Sequence, residues 1–379
     1  MKSRRINLYL PVITYSAGLL FMLSVVSAGS VSAQKNDRQK PVFNISAGLT
    51  TMYDDNILKY SDKYIERFLN REDEGRFHIR TYDDVVLSPE LEMSASYRFI
   101  RKLNTTFTAG YRFTSYIVNS NKSRSYLNLG LRQYFTKKAS VKISWDYIPD
   151  FYVRHFRDDD WVGIYGYTPE TFKPFSFTKE SYGAELMNTF FKNTRAKLIF
   201  EHASYYYNSH FTEYDCNNSA WELNIRQTLI KGLKLEAGYT FTTSDAKGSD
   251  EPGESKQSSD DSDGSFEEDA YLIRVLWELP DFQKHRHTLD VKTEFSNRYF
   301  TSEKSAVLDP LHAGRVDKNL GLNVTYSLEV SKAVGIAFFY NWYSRNASSL
   351  AEENSLFVSE EKDYGQSQIG LSVSYNMKY

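Results

Sequence analysis

Residues 87–113 read LSPELEMSASYRFIRKLNTTFTAGYRF, and this stretch decides the fold. Apolar residues occupy every odd position from Leu87 to Phe99, whereas polar residues occupy the even positions between them. After a tight turn at 100–103, the same alternation resumes from Phe107 to Phe113. Alternation sustained over this length predicts two antiparallel β-strands that share one apolar face.

The alternation recurs outward from this hairpin in both directions, and we count fourteen such strands in residues 41–379. Their connections alternate in length. The tight ones are 100–103, 136–138, 191–194, 230–232, 280–287 and 331–333, and the mostly long ones are 54–86, 119–124, 149–180, 208–218, 244–269, 301–315 and 346–362. Short turns on one rim and long loops on the other are typical of membrane barrels. The sequence therefore predicts an all-β fold, a single antiparallel up-and-down transmembrane β-barrel. It has about 14 strands (with 12 or 16 as alternatives), short periplasmic turns and long extracellular loops.

The first thirty-three residues have the pattern of a cleaved secretory signal peptide. Lys2, Arg4 and Arg5 precede a mostly apolar stretch, and Val31-Ser32-Ala33 has the small residues that a signal peptidase cleaves after. The alternative is a transmembrane anchor, because the apolar stretch approaches the length of a span. We predict a signal peptide over 1–33, a short periplasmic lead over 34–40 and the barrel over 41–379.

Composition excludes several classes of protein. A formal net charge of −2 argues against a nucleic-acid partner. A single cysteine, Cys216, excludes an intrachain disulfide framework and a thiolate metal cluster. A mean hydropathy of −0.53 excludes a helical membrane protein. We also expect no cofactor.

The last strand, Ile369 to Tyr379, alternates and closes on an aromatic residue. It resembles the signal that the barrel-insertion machinery reads, and the chain over 41–379 resembles a porin-like Gram-negative outer-membrane β-barrel. Tyr53-Asp54-Asp55-Asn56 is similar to a segment of barrels of the Bacteroidota type. The resemblance implies an outer-membrane location. It also implies outer-membrane lipid, lipopolysaccharide and the insertion machinery as partners.

The polar faces of the strands predict the lining of a lumen. Twelve acids and twelve bases lie on these faces, so no sign of charge dominates. The pore-lining residues we predict are Glu90, Glu92, Arg98, Arg112, Arg132, Lys142, Asp146, Lys197, Glu201, Glu222, Arg226, Glu236, Arg274, Lys292, Glu294 and Glu329. Since barrels of eight strands are filled and those of 16–18 hold water, fourteen strands indicate an open lumen, unless a loop or the segment 34–40 plugs it. We predict a channel for passive diffusion of small polar solutes, with weak charge selectivity.

Two other functions stay open, a non-transporting surface scaffold that displays acidic loops and an outer-membrane lipid hydrolase. Outer-membrane lipid hydrolases carry a His-x-Ser pair on a lipid-facing strand, and His202 and Ser204 resemble it. Tyr205 stands where those enzymes have Asn, so we predict no enzyme activity.

The long loops supply the remaining candidates. They hold 33 acids and 17 bases, whereas the tight turns hold nine bases and one acid. This distribution favours solubility and control of folding, and the alternative is that the acidic loops share divalent cations with lipopolysaccharide. Loop 149–180 is rich in aromatic residues and is the candidate constriction loop, with His155, Arg157, Asp158, Asp159, Asp160 and Trp161, although a structural cap is an equal alternative. Loop 244–269 is acidic and rich in Ser and Gly, so we expect it to be mobile. Its Asp261-Ser262-Asp263-Gly264 lacks the remaining positions of an EF-hand, so we predict no metal site, with a loose calcium contact as the alternative.

Overall fold

The computed structural model describes residues 41–73, 75–100, 103–282 and 285–379. The predicted signal peptide (1–33) and periplasmic lead (34–40) lie outside these residues. The side chains of Ile100 and Phe282 are likewise not described.

Fourteen antiparallel strands form a closed barrel in which every strand pairs with its neighbours in sequence. The strand β1 pairs with both β2 and β14, which closes the sheet. The predicted fold, an all-β up-and-down barrel of 14 strands, is confirmed. The strands are β1 Val42–Asp54, β2 Asp84–Ile100, β3 Leu103–Tyr116, β4 Arg124–Tyr134, β5 Ala139–Arg157, β6 Phe172–Phe191, β7 Thr194–Tyr207, β8 Cys216–Ile230, β9 Leu233–Ala246, β10 Phe266–Phe282, β11 His285–Phe300, β12 Arg315–Glu329, β13 Val334–Ser349 and β14 Tyr364–Lys378.

The two rims differ as the loop lengths predict. Both ends of the barrel chain meet at the short-turn rim, where Phe43 and Tyr379 exchange backbone hydrogen bonds of 3.2 and 2.9 Å. The opposite, long-loop rim carries the short helices α1 Asp62–Asn70, α2 Asp159–Tyr165 and α3 Glu352–Lys362. None of the helices in the described ranges is long and apolar enough to cross a membrane.

The strands β5 and β6 extend much farther at the long-loop rim than the sequence predicts. Residues 149–157 and 172–180, assigned above to loop 149–180, are strand, so the loop itself is only 158–171. Cross-strand aromatic pairs hold this extension, for example the stacked rings of Phe151 and Phe177 with centroids 5.0 Å apart. Irregular pairing near Ile148 and Tyr152 breaks the alternation there, which is why the extension is not recognisable as strand from its sequence.

Candidate pore and vestibule

The outer face of the barrel is an apolar surface. Leu49, Ile143, Ile273 and Ile369 lie on four different strands and expose 49%, 55%, 60% and 61% of their surface. A continuous apolar belt of this kind is not stable in water, but it suits a hydrocarbon phase. A closed barrel also leaves no strand edge that lipid would have to hydrogen-bond.

Aromatic side chains lie exposed at both ends of this belt. Phe99, Phe135 and Phe190 lie near the short-turn rim and are 72%, 50% and 60% exposed. Tyr206 and Tyr299, near the long-loop rim, are 54% and 44% exposed. Two such girdles mark the levels at which a membrane barrel meets the lipid head groups.

The inner wall carries the charged residues, and most of them are paired. Strand pairing brings some of the predicted lining residues opposite one another, as in Glu90 opposite Arg112 and Arg226 opposite Glu236. The ion pairs include Arg112–Glu90 at 2.9 Å, Arg132–Glu185 at 2.8 Å, Lys197–Glu185 at 3.6 Å, Lys179–Glu201 at 3.3 Å, Arg226–Glu236 at 2.6 Å, Lys292–Glu294 at 2.7 Å, Arg286–Glu329 at 4.0 Å and Arg274–Asp290. Opposite charges this close partly cancel each other's field.

The other predicted lining residues have polar neighbours on the same face. The Arg98 guanidinium donates to Asn104 at 3.2 Å, Glu222 accepts from Asn224, and Asp146 accepts from the Tyr126 hydroxyl. Glu92 lies opposite Gly110, and Lys142 lies opposite Glu185. Farther along the wall, Glu222, Glu294 and Asn319 are among the residues that line a cavity of about 300 Å³.

The first long loop, residues 55–83, folds into the mouth of the barrel, and we call it the mouth loop. Its Ile57, Leu58 and Tyr60 are at most 5% exposed and pack with Tyr116 and Tyr152 of the wall. The sequence of residues 55–83 has no periodic pattern that predicts this packing. The sequence analysis placed the candidate constriction loop at 149–180 instead. A buried apolar cluster at the mouth therefore involves a segment that the sequence analysis missed.

The motif Tyr53-Asp54-Asp55-Asn56 attaches the start of the mouth loop to β14. The Asn56 amide donates to the carbonyls of Tyr60 at 2.8 Å and Gly365 at 3.0 Å. Gln366 donates to both carboxylate oxygens of Asp54 at 2.8 and 2.9 Å. Asp54 and Asn56 are 2% and 3% exposed, so these bonds satisfy groups that water does not reach.

The mouth loop also contacts β5 and two other long loops. Arg154 of β5 donates to the Leu58 carbonyl at 3.2 Å, and its guanidinium lies 5.0 Å from the Tyr60 ring centroid. Gly75 packs so closely on the Pro169 backbone that a Cβ there would overlap it, and φ of Gly75 is +94°. Lys63 of α1 pairs with Glu361 of α3 at 2.8 Å. These contacts tie the loop to three parts of the rim.

The predicted constriction residues lie at the long-loop rim, and one of them, His155, contacts the mouth loop. The ring of His155 stacks on His78 with centroids 3.6 Å apart, and burial, followed by the charge on His78, lowers the pKa of His155 to about 4. Asp158 is 4% exposed, caps α2 through the Trp161 amide at 3.0 Å, and accepts from His210 at 2.7 Å.

The remaining members of that set are more open to solvent. Arg157 pairs with Asp159 at 2.6 Å, and the Lys173 ammonium lies 3.6 Å from the Trp161 ring centroid. Asp160 lines a cavity at the long-loop rim, and burial raises its pKa. Loop 158–171 therefore contributes one part of the rim rather than its centre.

A cavity of about 460 Å³ lies at the long-loop rim, and we call it the vestibule. The basic and the acidic residues that line the vestibule come mostly from different segments of the chain. The mouth loop, β5 and the end of α3 supply the bases, and the other long loops supply most of the acids. The bases are Lys63, Arg67, Arg76, Arg154, Arg157 and Lys362, and the acids include Asp158, Asp159, Asp160, Glu213, Asp250, Asp260, Asp261, Asp309 and Glu361. Burial, followed by Arg315, lowers the pKa of Lys362 to about 7.

The acidic loop predicted to be mobile is instead folded against its neighbour. Asp263 is fully buried, and it accepts from the Glu303 amide at 3.1 Å while its own amide donates to Asp309 at 3.0 Å. The Lys304 ammonium donates to the Ser259 carbonyl at 2.9 Å. The prediction of mobility was wrong because a composition argument cannot register bonds made to residues 301–314.

The His202 and Ser204 side chains face outward near the long-loop rim. Each has its partner on β8, since His202 lies 3.2 Å from the Ser219 hydroxyl and Ser204 donates to Asn217 at 2.7 Å. Activation of a serine nucleophile needs the histidine within hydrogen-bond reach of that same serine. The observed bonds therefore do not assemble the arrangement of a hydrolase.

No family model matches the chain, and no curated protein matches it. Solved structures with a similar fold include the outer-membrane channel DcaP of Acinetobacter baumannii, at 12% identity and a TM-score of 0.46 over 92% of this chain and 100% of that one. The anion-selective porin of Comamonas acidovorans matches at 10% and 0.42 over 89% and 100%. OprD of Pseudomonas aeruginosa matches at 9% and 0.41 over 92% and 96%. Scores of this size transfer no function to this chain.

Proposed function

We propose that the protein is an outer-membrane channel through which small polar solutes diffuse passively, narrowed at its outer mouth by the mouth loop. The observation that carries the proposal is the inverted surface, with exposed apolar side chains outside and paired charges inside a closed barrel. Water-filled membrane barrels have this arrangement because lipid contacts one face and solute the other.

The proposed channel has little preference between anions and cations. The inward charges of both signs compensate one another in pairs along the wall, as Arg226 and Glu236 do at 2.6 Å. Strong selectivity needs one sign of charge concentrated at a constriction. The acids of the vestibule give a slight preference for cations, which fades as salt screens them over about 10 Å at 0.1 M.

The test is a planar-bilayer recording with the purified barrel under a salt gradient. We expect discrete conductance steps and a small reversal potential with the sign of cation preference at low salt. A strong anion preference would contradict the lumen described above. Fractionation of cells should recover the protein with the outer membrane, and recovery from the soluble fraction would contradict the location.

The contribution of the mouth loop is tested by Tyr60→Ala. The Tyr60 ring is 2% exposed and contacts Tyr64 and Phe77 at centroid distances of 5.6 and 5.7 Å, so its loss loosens the loop. We expect larger or noisier conductance steps. Val307→Ala is the matched control, because Val307 lies in another long loop and is 86% exposed. Equal effects of the two substitutions would show that the mouth loop does not narrow the channel.

A non-transporting surface scaffold is the second candidate. The apolar cluster of the mouth loop favours it, since a tightly packed mouth leaves the loops as the accessible part of the protein. Absence of any conductance from correctly folded barrel would support the scaffold. Catalysis is not part of either proposal, because His202 and Ser204 bond to β8.

A further inference from the structure

Three carboxylates from two long loops meet in the vestibule. Glu213 lies in the 3₁₀ turn Thr212–Tyr214 between β7 and β8, whereas Asp250 and Asp261 lie between β9 and β10. One oxygen of each lies within 4.8 Å of the others. Like charges this close repel one another strongly unless a proton or a cation lies between them.

The buried state of Glu213 is a second and independent observation. Glu213 is only 8% exposed, and its Oε2 is buried without a hydrogen-bond partner among the described residues. A buried carboxylate oxygen without a partner costs free energy that native proteins rarely leave uncompensated. The unsatisfied atom belongs to the residue whose carboxylate converges with Asp250 and Asp261. That lack of a donor indicates that something outside the polypeptide completes the site.

The neighbouring cations are engaged elsewhere. Lys304 donates to the backbone carbonyls of Ser259 and Asp261, and Lys256 pairs with Asp245. Asp261 accepts from the Asp250 amide at 3.0 Å and from Ser259 at 2.6 Å through the same oxygen, Oδ2. In the part of the chain that the structure describes, no lysine or arginine forms an ion pair with any of the three carboxylates, since Lys256 pairs with Asp245 and Lys304 contacts only the Asp261 carbonyl there.

We propose that Glu213, Asp250 and Asp261 bind a divalent cation, with Ca²⁺ as the preferred ion. Ca²⁺ takes carboxylate oxygens at about 2.3–2.6 Å in flexible geometry, so oxygens up to about 4.8 Å apart can contact one ion. Mg²⁺ is less suitable because it requires near-octahedral geometry at about 2.0–2.1 Å. The site links the β7–β8 loop to the β9–β10 loop. It does not depend on whether the barrel conducts.

A shared proton is the competing explanation. A proton held among Glu213, Asp250 and Asp261 would relieve the same repulsion without an ion. Protonation and cation binding predict opposite responses to added Ca²⁺ at pH 7.5.

The experiment uses the full barrel folded in detergent without lipopolysaccharide, so that a cation shared with that lipid is absent. Terbium luminescence excited through aromatic residues reports binding, because Trp161 follows Asp160 and Tyr214 follows Glu213. We expect saturable binding of Tb³⁺ that Ca²⁺ displaces at or below about 1 mM, a range found in extracellular calcium modules. Calorimetry with Ca²⁺ alone should give one site.

The variants Glu213→Gln and Asp261→Asn keep the side-chain shape and should weaken Ca²⁺ binding at least roughly tenfold. Asp159→Asn is the matched control, since Asp159 lines the same vestibule outside the triad and should leave binding unchanged. If Glu213→Gln fails to fold, Asp261→Asn and Asp250→Asn decide. Absence of Ca²⁺ binding up to about 10 mM, or equal binding by the triad variants and the control, would overturn the proposal and favour the shared proton.

Discussion

The orientation of the wall is tested most sharply by two adjacent residues of β4. Leu129 is the sixth of the eleven residues of this strand and pairs on the outer face with Ala109 and Trp145. At about 3.3 Å per residue and a tilt of about 40°, it lies roughly 13 Å from either end of the strand. That position is the middle of an apolar band about 25 Å tall.

Arginine at this position would place a charge at the bilayer midplane. The cost is about 2–4 kcal/mol in the free energy of unfolding, which lowers the folding equilibrium constant roughly 30-fold to 800-fold. Arginine at Asn128 instead points into the lumen. Asn128 lies opposite Gly110, which has no side chain, and beside Asp146, which offers a counter-charge. We expect a change within about 0.5 kcal/mol.

Urea titration of both variants in lipid vesicles, followed by tryptophan fluorescence, measures the difference at equilibrium. The slopes should match wild type, so a shift in midpoint reports stability alone. Equal shifts for Leu129→Arg and Asn128→Arg, or a larger shift for the second, would refute the assignment of the two faces.

Three further predictions concern the chain ends and the mouth. Intact-mass analysis of the mature protein should show Gln34 as its first residue after cleavage behind Ala33, and retention of the leader would contradict this. Deletion of Tyr379 should slow assembly in the membrane without stopping export, and an unchanged yield of heat-modifiable barrel would count against it. The folded state lowers the pKa of His155, so the unfolded state binds more protons and stability is lost as pH falls from 6.5 towards 4. Limited proteolysis of the mouth loop should accelerate over that range in wild type and much less in His155→Gln. A response of equal size in the variant would assign the effect to other groups.

The barrel could be predicted from sequence because each strand carries its own signal. A strand such as β2 alternates along its length, and one face must be apolar if lipid touches it. The signal needs no knowledge of distant residues. It fails where β5 and β6 pair irregularly, since a bulge shifts the alternation by one position.

The site could not be predicted in the same way because its parts are distant in sequence. Tyr60 packs with Tyr116 and Tyr152 only after the barrel has formed, and nothing in the spacing of 55–83 indicates that contact. Glu213 and Asp261 likewise come from separate loops that strand pairing brings together. Loop 244–269 was wrongly predicted to be mobile for the same reason, since its bonds run to another loop.

The attachment of the mouth loop to β14 has a consequence for biogenesis. Asn56 and Asp54 hold the loop through Gly365 and Gln366, which belong to β14, the strand that closes the barrel on β1. These bonds form only when β14 has paired with β1. Closure of the barrel and attachment of the mouth loop therefore occur together. A nascent chain lacking its final strand therefore has a wider and less protected entrance than the finished barrel. In the channel proposed above, a substitution at this seam should increase conductance before it reduces the amount of folded barrel.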